Sequence, residues 1–491
     1  MRRFEPSLLL LLGFAGCYFA GSAKQDGDGT SGTVDWDTAG DSGDAPPEDS
    51  DTTDSADTGE ACDDTTPVRL YLSPDDSNSM SSPVQARLAA LDHTGTLQRV
   101  PIRTYEFMNY YGFAYPPAEE GLVVSAGMAP AVAADTYELQ IGVTGPWVED
   151  DARAPMNLTF SIDTSGSMAL DPIDAVRQIG RAISAKLREG DIVSILTWDT
   201  TREVLLDSWA VTGPNDPTLI AAFDGLEALG STNLSGGLIG AYELAERNFS
   251  PDRINRVILI SDGGANVGVT DEDLIATQAG GESATGIFMM GVGVGTPTTY
   301  NDTLMDAVTD AGKGSAVYVV DSAEILEMFG DRFEEVFDVA ARSVQVRLDL
   351  PPGFSIVRYS GEEYSGDPTE VQRQNLAPND AMVFYQTVAT CAPEAVTEDS
   401  SVTVTVSYLD PVTFEPRETT LTRTFAELMD SDAALLAKGR AVYTYAEALK
   451  SWQQDAQTPA VAAALEVVAL AEVANPGDDD LAEIRAVLQA L

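Results

Sequence analysis

The chain has 491 residues, 44% of them hydrophobic, enough for several domains with buried cores. Asp and Glu number 78 against 28 Lys and Arg, a formal net charge of −50. That balance excludes charge-driven binding to nucleic-acid phosphates or anionic lipid, and favours solubility, metal ions and cationic partners.

The first element is a targeting segment. Arg2 and Arg3 precede the apolar run Ser7 to Phe14, which is too short to span a bilayer as a helix. Phe14-Ala15-Gly16-Cys17 resembles a bacterial lipobox. Residues 1–17 are therefore expected to be a lipoprotein signal peptide, with Cys17 the lipidated residue. The alternative is an ordinary signal peptide cleaved near Ala20 or Ala23. Tyr18, rather than Asp, points to an outer-membrane or cell-surface location in the cell envelope. Downstream, no stretch reaches 18 uninterrupted apolar residues.

Residues 18–66 read as a disordered acidic linker. Positions 24–64 hold 14 acids and one lysine, and Val34 and Trp36 are their only large apolar side chains. Such a segment cannot bury enough surface to offset its ordering entropy. Its DGDGT is similar to part of an EF-hand loop, but no bidentate Glu or flanking helix follows, so calcium is not expected there. Export permits Cys62 and Cys391 to pair, and the sequence leaves that pairing open.

Residues 67–152 form a β-rich segment in which VRLYLSP and YELQIGVTG alternate apolar and polar side chains. Between them, Tyr105, Phe107, Tyr110, Tyr111, Phe113 and Tyr115 are expected to pack in a core rather than form a recognition surface. From 153 to 341 strands and helices alternate. MNLTFSID reads as a strand, Pro172 to Arg188 as a helix, DIVSILTW as a strand and TREVLLDSW as a short one beside it. A helix over Leu234 to Phe249, the strand RVILISDG and a helix opening at Asp271 to Ala279 follow. The strand GIFMMGVGVG, a helix over Thr303 to Ala311, the strand SAVYVV and a closing helix over Ala323 to Val339 complete the series. This is an α/β class pattern, a doubly wound and mostly parallel sheet with both faces covered. Ligands of such sheets sit beyond the carboxyl ends of the strands, where Asp163 and Asp262 lie. Residues 342–427 return to period-2 strands, and 428–491 are helical and Ala-rich, expected to cap the β-rich part.

The stretch FSIDTSGSM places Asp163, Ser165 and Ser167 on alternate positions directly after a hydrophobic strand. A small divalent cation such as Mg²⁺ takes six oxygens in near-octahedral geometry, and short side chains at a strand-to-helix loop can converge on one. Thr232 in LGSTNLSGGL and Asp262 in LISDGGANVG fit as further donors. The set Asp163, Ser165, Ser167, Thr232 and Asp262, in that order on an α/β pattern, resembles the metal-ion-dependent adhesion site of von Willebrand factor type A domains, over about residues 153–341. The resemblance implies Mg²⁺, or Mn²⁺ or Ca²⁺, held by the three hydroxyls, with the aspartates binding directly or through water. A carboxylate from a partner protein completes the octahedron. Two carboxylates roughly neutralise a 2+ ion and leave it able to attract an acidic ligand. More loosely, residues 80–491 resemble bacterial YfbK-like exported proteins. That resemblance implies that 67–152 and 342–427 pair into one β-rich domain carrying the A-type domain as an insertion.

Little favours an enzyme. His93 is the single histidine, and no C-x-x-C, H-E-x-x-H or G-x-x-x-x-G-K motif occurs. The GVGVG at 291–295 lacks the third-glycine spacing of a dinucleotide loop and an Asp about 20 residues on in a proper βαβ frame. The expectation is a lipid-anchored, metal-dependent protein-binding module that captures a partner Asp or Glu and touches the membrane through its lipid alone. The alternatives are an envelope-assembly scaffold with a structural metal and, third, a metal-dependent hydrolase.

Overall fold

The computed structural model describes residues 62–75, 79–92, 96–149, 152–263 and 286–491. The export segment with Cys17, most of the acidic linker, His93 and the helix opening expected at 271–279 lie outside them.

In chain order, strand β1 (Val68–Ser73) is followed by helices α1 (Ser81–Arg87) and α2 (Thr104–Tyr110), then β2 (Val123–Pro130) and β3 (Thr136–Thr144). The A domain comes next: β4 (Met156–Asp163), α3 (Asp171–Lys186), β5 (Ile192–Trp198), β6 (Arg202–Ala210), α4 (Pro217–Asp224), α5 (Leu234–Arg247), β7 (Ile254–Ser261), β8 (Phe288–Gly293), α6 (Asp302–Ala311), β9 (Ala316–Tyr318), α7 (Ser322–Leu326) and α8 (Phe333–Phe337). The chain then returns to β structure with β10 (Ala341–Leu350), β11 (Phe354–Tyr359), β12 (Glu363–Ser365), β13 (Gln374–Leu376), β14 (Ala381–Thr390), β15 (Ser401–Leu409) and β16 (Pro416–Thr424). Helices α9 (Phe425–Met429), α10 (Ala433–Gln454), α11 (Ala460–Ala474) and α12 (Asp479–Ala490) complete it.

The A domain is a six-stranded sheet of order β6-β5-β4-β7-β8-β9, parallel except for the antiparallel edge strand β6. Every residue of β4 and β7 is buried, as a central strand covered on both faces requires. On α3, Ile173, Val176, Ile179 and Ile183 form the buried stripe. Pro172 fits the first turn of that helix, and Asp171 and Asp174 oppose its dipole.

The β strands on either side of this domain pair with each other. Val68 in β1 lies opposite Leu350 in β10, and Thr144 in β3 opposite Ala381 in β14. One sheet runs β12-β1-β10-β15-β16, with β13 also on β10, and the other runs β11-β14-β3-β2. Leu72, Ile141, Val346, Phe384 and Val404 share the core between them. The second sheet is covered on its other face too: Tyr385 of β14 packs on Tyr443 of α10, at 5.2 Å between ring centroids. Gln140 of β3 donates to the Leu435 carbonyl (3.1 Å). Cys62 and Cys391 are joined by a disulfide.

The aromatic run before the A domain packs inward. Phe107, Tyr110 and Tyr111 are buried, and Phe107 meets Tyr445 of α10 edge-on at 5.2 Å. The closing helix differs from its expected form. In place of one helix over Ala323 to Val339, α7 and α8 flank a π-type turn at Glu327–Asp331. Arg332 is drawn out of register: its guanidinium donates to the Tyr110 (3.0 Å) and Asn109 (3.3 Å) carbonyls at the end of α2. The wider turn lets Phe329, Phe333 and Phe337 all face the core.

Asp380, just before β14, carries a pH signature. Burial, reinforced by repulsion from Glu335, pushes its carboxyl up to about 7. The folded chain then holds a proton that the unfolded chain releases, so stability falls as pH rises between about 4 and about 7. Asp380→Asn is expected to leave urea stability at pH 4 unchanged and to raise it at pH 8 by about 1–2 kcal/mol.

Candidate metal centre

Strand β4 ends at Asp163, and the parallel register pairs Ile162 with Ile260 of β7. Asp163 and the Ser261–Asp262 pair therefore leave the sheet side by side at its carboxyl edge. Asp163 is fully buried and held from two directions. Its Oδ1 accepts the Ser165 amide (2.8 Å), and its Oδ2 accepts the Ser261 hydroxyl (2.7 Å). The Ser261 Oγ in turn accepts the Gly263 amide (2.9 Å), which ties the two loops together.

The loop preceding α5 closes the third side. The Leu229 amide donates to the Thr164 carbonyl (2.7 Å), and the Gly166 amide to the Gly230 carbonyl (3.1 Å). Gly230 needs to be glycine here: it has φ +85, and a Cβ would sit 2.8 Å from the Asp199 Oδ2. Two residues on, Thr232 is buried immediately before Asn233, whose side chain caps α5 by accepting the Gly236 amide (3.1 Å). The Asp262 loop is set from behind, where the Asn301 amide donates to the Asp262 carbonyl (2.9 Å). All five candidate residues thus lie on three loops that are hydrogen-bonded at one end of the sheet.

The donor set fits a small divalent cation. Ser165 and Ser167 hydroxyl oxygens lie 3.1 Å apart. Adjacent ligands of an octahedral Mg²⁺ at 2.0–2.1 Å are separated by about 2.9 Å, so the two serines match one edge. Burial pushes the Asp163 carboxyl up to about 6, and neighbouring Asp262 adds to the rise, against the hydrogen bonds from Ser165 and Ser261. A 2+ ion would oppose both effects by pairing with the two carboxylates. Ser167 is solvent-exposed while Asp163, Ser165, Thr232 and Asp262 are buried, so of the five Ser167 is the one open to solvent. Among the described residues, no three carboxylates, imidazoles or thiols converge to hold a metal elsewhere.

Ser261, which hydrogen-bonds Asp163, is a residue that sequence reasoning passed over. The signal was present as a small hydroxyl at the last position of an otherwise apolar strand, directly before Asp262. The glycines of GVGVG serve packing: Cβ atoms at Gly291 and Gly293 would meet Thr309 and the Tyr300 ring at 2.5 and 2.3 Å.

The von Willebrand factor type A domain family matches residues 158–265, a span that contains every candidate donor. The chain carries a von Willebrand factor type A domain. It is similar to the uncharacterized protein YfbK of Escherichia coli K12, 31% identical over 199 residues, which are 40% of this chain and 34% of that one. It is also similar to the uncharacterized protein sll0103 of Synechocystis, 26% identical over 216 residues, 44% of this chain and 50% of that one. The matched segments thus span about a third and a half of the length of these curated relatives. Among solved structures, a von Willebrand factor type A protein from Catenulispora acidiphila aligns with a TM-score of 0.49 at 16% identity, over 75% of this chain and 96% of that one.

Proposed function

We propose that the chain is a metal-dependent protein-binding module of the adhesion type. In this reading Asp163, Ser165, Ser167, Thr232 and Asp262 hold Mg²⁺, and an Asp or Glu side chain of a partner protein completes the coordination. The observation that supports it is the set of three hydrogen-bonded loops that carry Asp163, Ser165, Ser167, Thr232 and Asp262 at one end of the type A sheet. Its rim also favours a protein partner. Leu170 and Leu229, on the loops that build the centre, are 80% and 66% exposed. Leu170 stands at φ +70, a conformation that leucine rarely adopts. Exposed leucines of this kind suit burial in the apolar core of a protein interface.

We further infer export and anchoring at the cell envelope through lipid on Cys17, from the Phe14-Ala15-Gly16-Cys17 sequence. No helix among the described residues is long and apolar enough to cross a membrane.

Pull-down from envelope extract tests the reading. Wild type in Mg²⁺ is expected to capture a partner that EDTA releases and that Asp163→Ala does not capture. Capture unaffected by EDTA, with a lowered melting temperature, would instead favour a structural metal. Turnover of a generic ester or phosphate, lost in Asp163→Ala, would favour a hydrolase.

A further inference from the structure

A second feature lies at the opposite end of the A-domain sheet, where β7 and β8 begin. There Arg342 of β10 reaches across from the β-rich domain. The register of β10 shifts against β15 between Arg342 and Gln345, and Ser343 inside the shift has φ +51. Such a bulge re-aims side chains out of the regular ladder. The Arg342 guanidinium lies 4.9 Å from the centroid of Phe288 and 4.7 Å from that of Phe414. Phe414, in the β15–β16 hairpin, is itself at φ +58, an unusual conformation for a bulky residue. Two strained non-glycine positions therefore converge on one cation, a pattern associated with functional sites.

Among the described residues this cation has no counter-ion. Its Nε is buried without a hydrogen-bond acceptor, and among the described residues no carboxylate pairs with it. Burial lowers its pKa. Beside it opens a cleft of about 280 Å³ between the two domains, walled by Val148, Pro251, Phe288 and Val412. Arg256 and Arg253 also line it. Their guanidinium groups donate to backbone carbonyls: Arg256 to Phe337 (2.7 Å) and Asp338 (3.4 Å), Arg253 to Met156 (3.1 Å) and Gly190 (2.7 Å). Two acids share the lining, the exposed Asp252 and Asp338, whose Oδ1 accepts the Val339 amide (2.7 Å). Three arginines against two acids make this lining net positive in a chain of net charge −50.

Rings near a guanidinium contact its faces and leave its N–H donors in the plane, where a carboxylate binds in bidentate fashion. Apolar walls at a domain boundary accept the body of a small ligand. We propose that this cleft binds a small organic carboxylate, with Arg342 holding the carboxylate and Phe288, Val148 and Val412 receiving the apolar body. The inference stands apart from the metal centre, which occupies the other end of the strands.

Calorimetric titration of the full chain with benzoate tests it, after divalent cations are stripped on an immobilised chelating resin so that a bound cation cannot take the carboxylate. Saturable benzoate binding is expected, at least about tenfold tighter than that of the neutral isostere benzamide. Arg342→Gln should weaken benzoate by about tenfold or more, and Asp163→Ala should leave it unchanged. The proposal is overturned if wild type binds benzoate and benzamide equally or binds neither. It is also overturned if Arg342→Gln retains wild-type affinity, or if Asp163→Ala abolishes binding. The benzoate–benzamide contrast is read in wild type, so it holds even if Arg342→Gln folds poorly.

Discussion

Asp163→Ala is expected to weaken Mg²⁺ or Mn²⁺ binding by about a hundredfold or more, read by calorimetric titration. The substitution removes one of the two carboxylates at the centre and half of its negative charge. It also removes the acceptor that fixes the Ser165 amide and the Ser261 hydroxyl. The effect on the metal-free fold should be much smaller, because two contributions oppose each other. Losing an acceptor for buried donors costs about 1–3 kcal/mol. Losing a carboxylate that is fully buried, and pushed up to about 6, returns a similar amount. Melting curves should therefore nearly coincide in EDTA and separate in metal. At a hundredfold excess over Kd, Mg²⁺ should stabilise wild type by about 2.7 kcal/mol and leave the variant unmoved. Asp163→Asn, which keeps an acceptor for Ser261, should fold like wild type and still bind metal poorly.

The second large effect is at Arg103, ahead of the A domain. Its guanidinium meets three carboxylates: Glu106 at 2.7 Å, Asp302 at 2.6 Å and Asp306 at 3.3 Å. Glu106 is completely buried and also accepts the Ser82 amide (2.5 Å). Asp302 accepts the Ser81 hydroxyl and the Gln85 amide, both at 2.8 Å. This network fastens α1 and α2 to the start of α6. Arg103→Met leaves the acids without their cation and is expected to cost about 3–5 kcal/mol at pH 7. Burial already raises the Glu106 pKa, and Arg103 is the main group opposing that rise. The penalty should therefore shrink as pH falls and Glu106 takes up a proton, which urea unfolding at pH 5 and pH 7 will show. A cost independent of pH would contradict the role assigned to Arg103. The network also abuts the metal centre, since Asn301, beside Asp302, donates to the Asp262 carbonyl.

The D-x-S-x-S loop was legible because its residues are contiguous and their chemistry is specific. Thr232 and Asp262 were legible because each sits at a strand or helix boundary in the order that an α/β alternation predicts. The period-2 runs VQVRLDLP and SVTVTVSYL announced β10 and β15, but alternation along one strand says nothing about partners 280 residues away. The pairing of Val68 with Leu350 is a tertiary fact that local pattern cannot carry. The π-type turn at Glu327–Asp331 escaped for a related reason. Arg332, which follows it, binds the Asn109 and Tyr110 carbonyls, more than 200 residues away in sequence. The cleft at Arg342 was invisible because its walls come from segments far apart in sequence, Val148, Pro251, Phe288, Arg342 and Val412 among them, which local pattern does not bring together.

The most direct measurement is the anomalous scattering of Mn²⁺ in crystals of the protein. The account predicts one strong peak in coordinating contact with the Ser165 and Ser167 hydroxyls, between the Thr232 and Asp262 loops, and no such peak in Asp163→Ala. Saturating Mn²⁺ with no density there, or with its main peak among other acidic residues, would contradict a metal-bridged mode of binding.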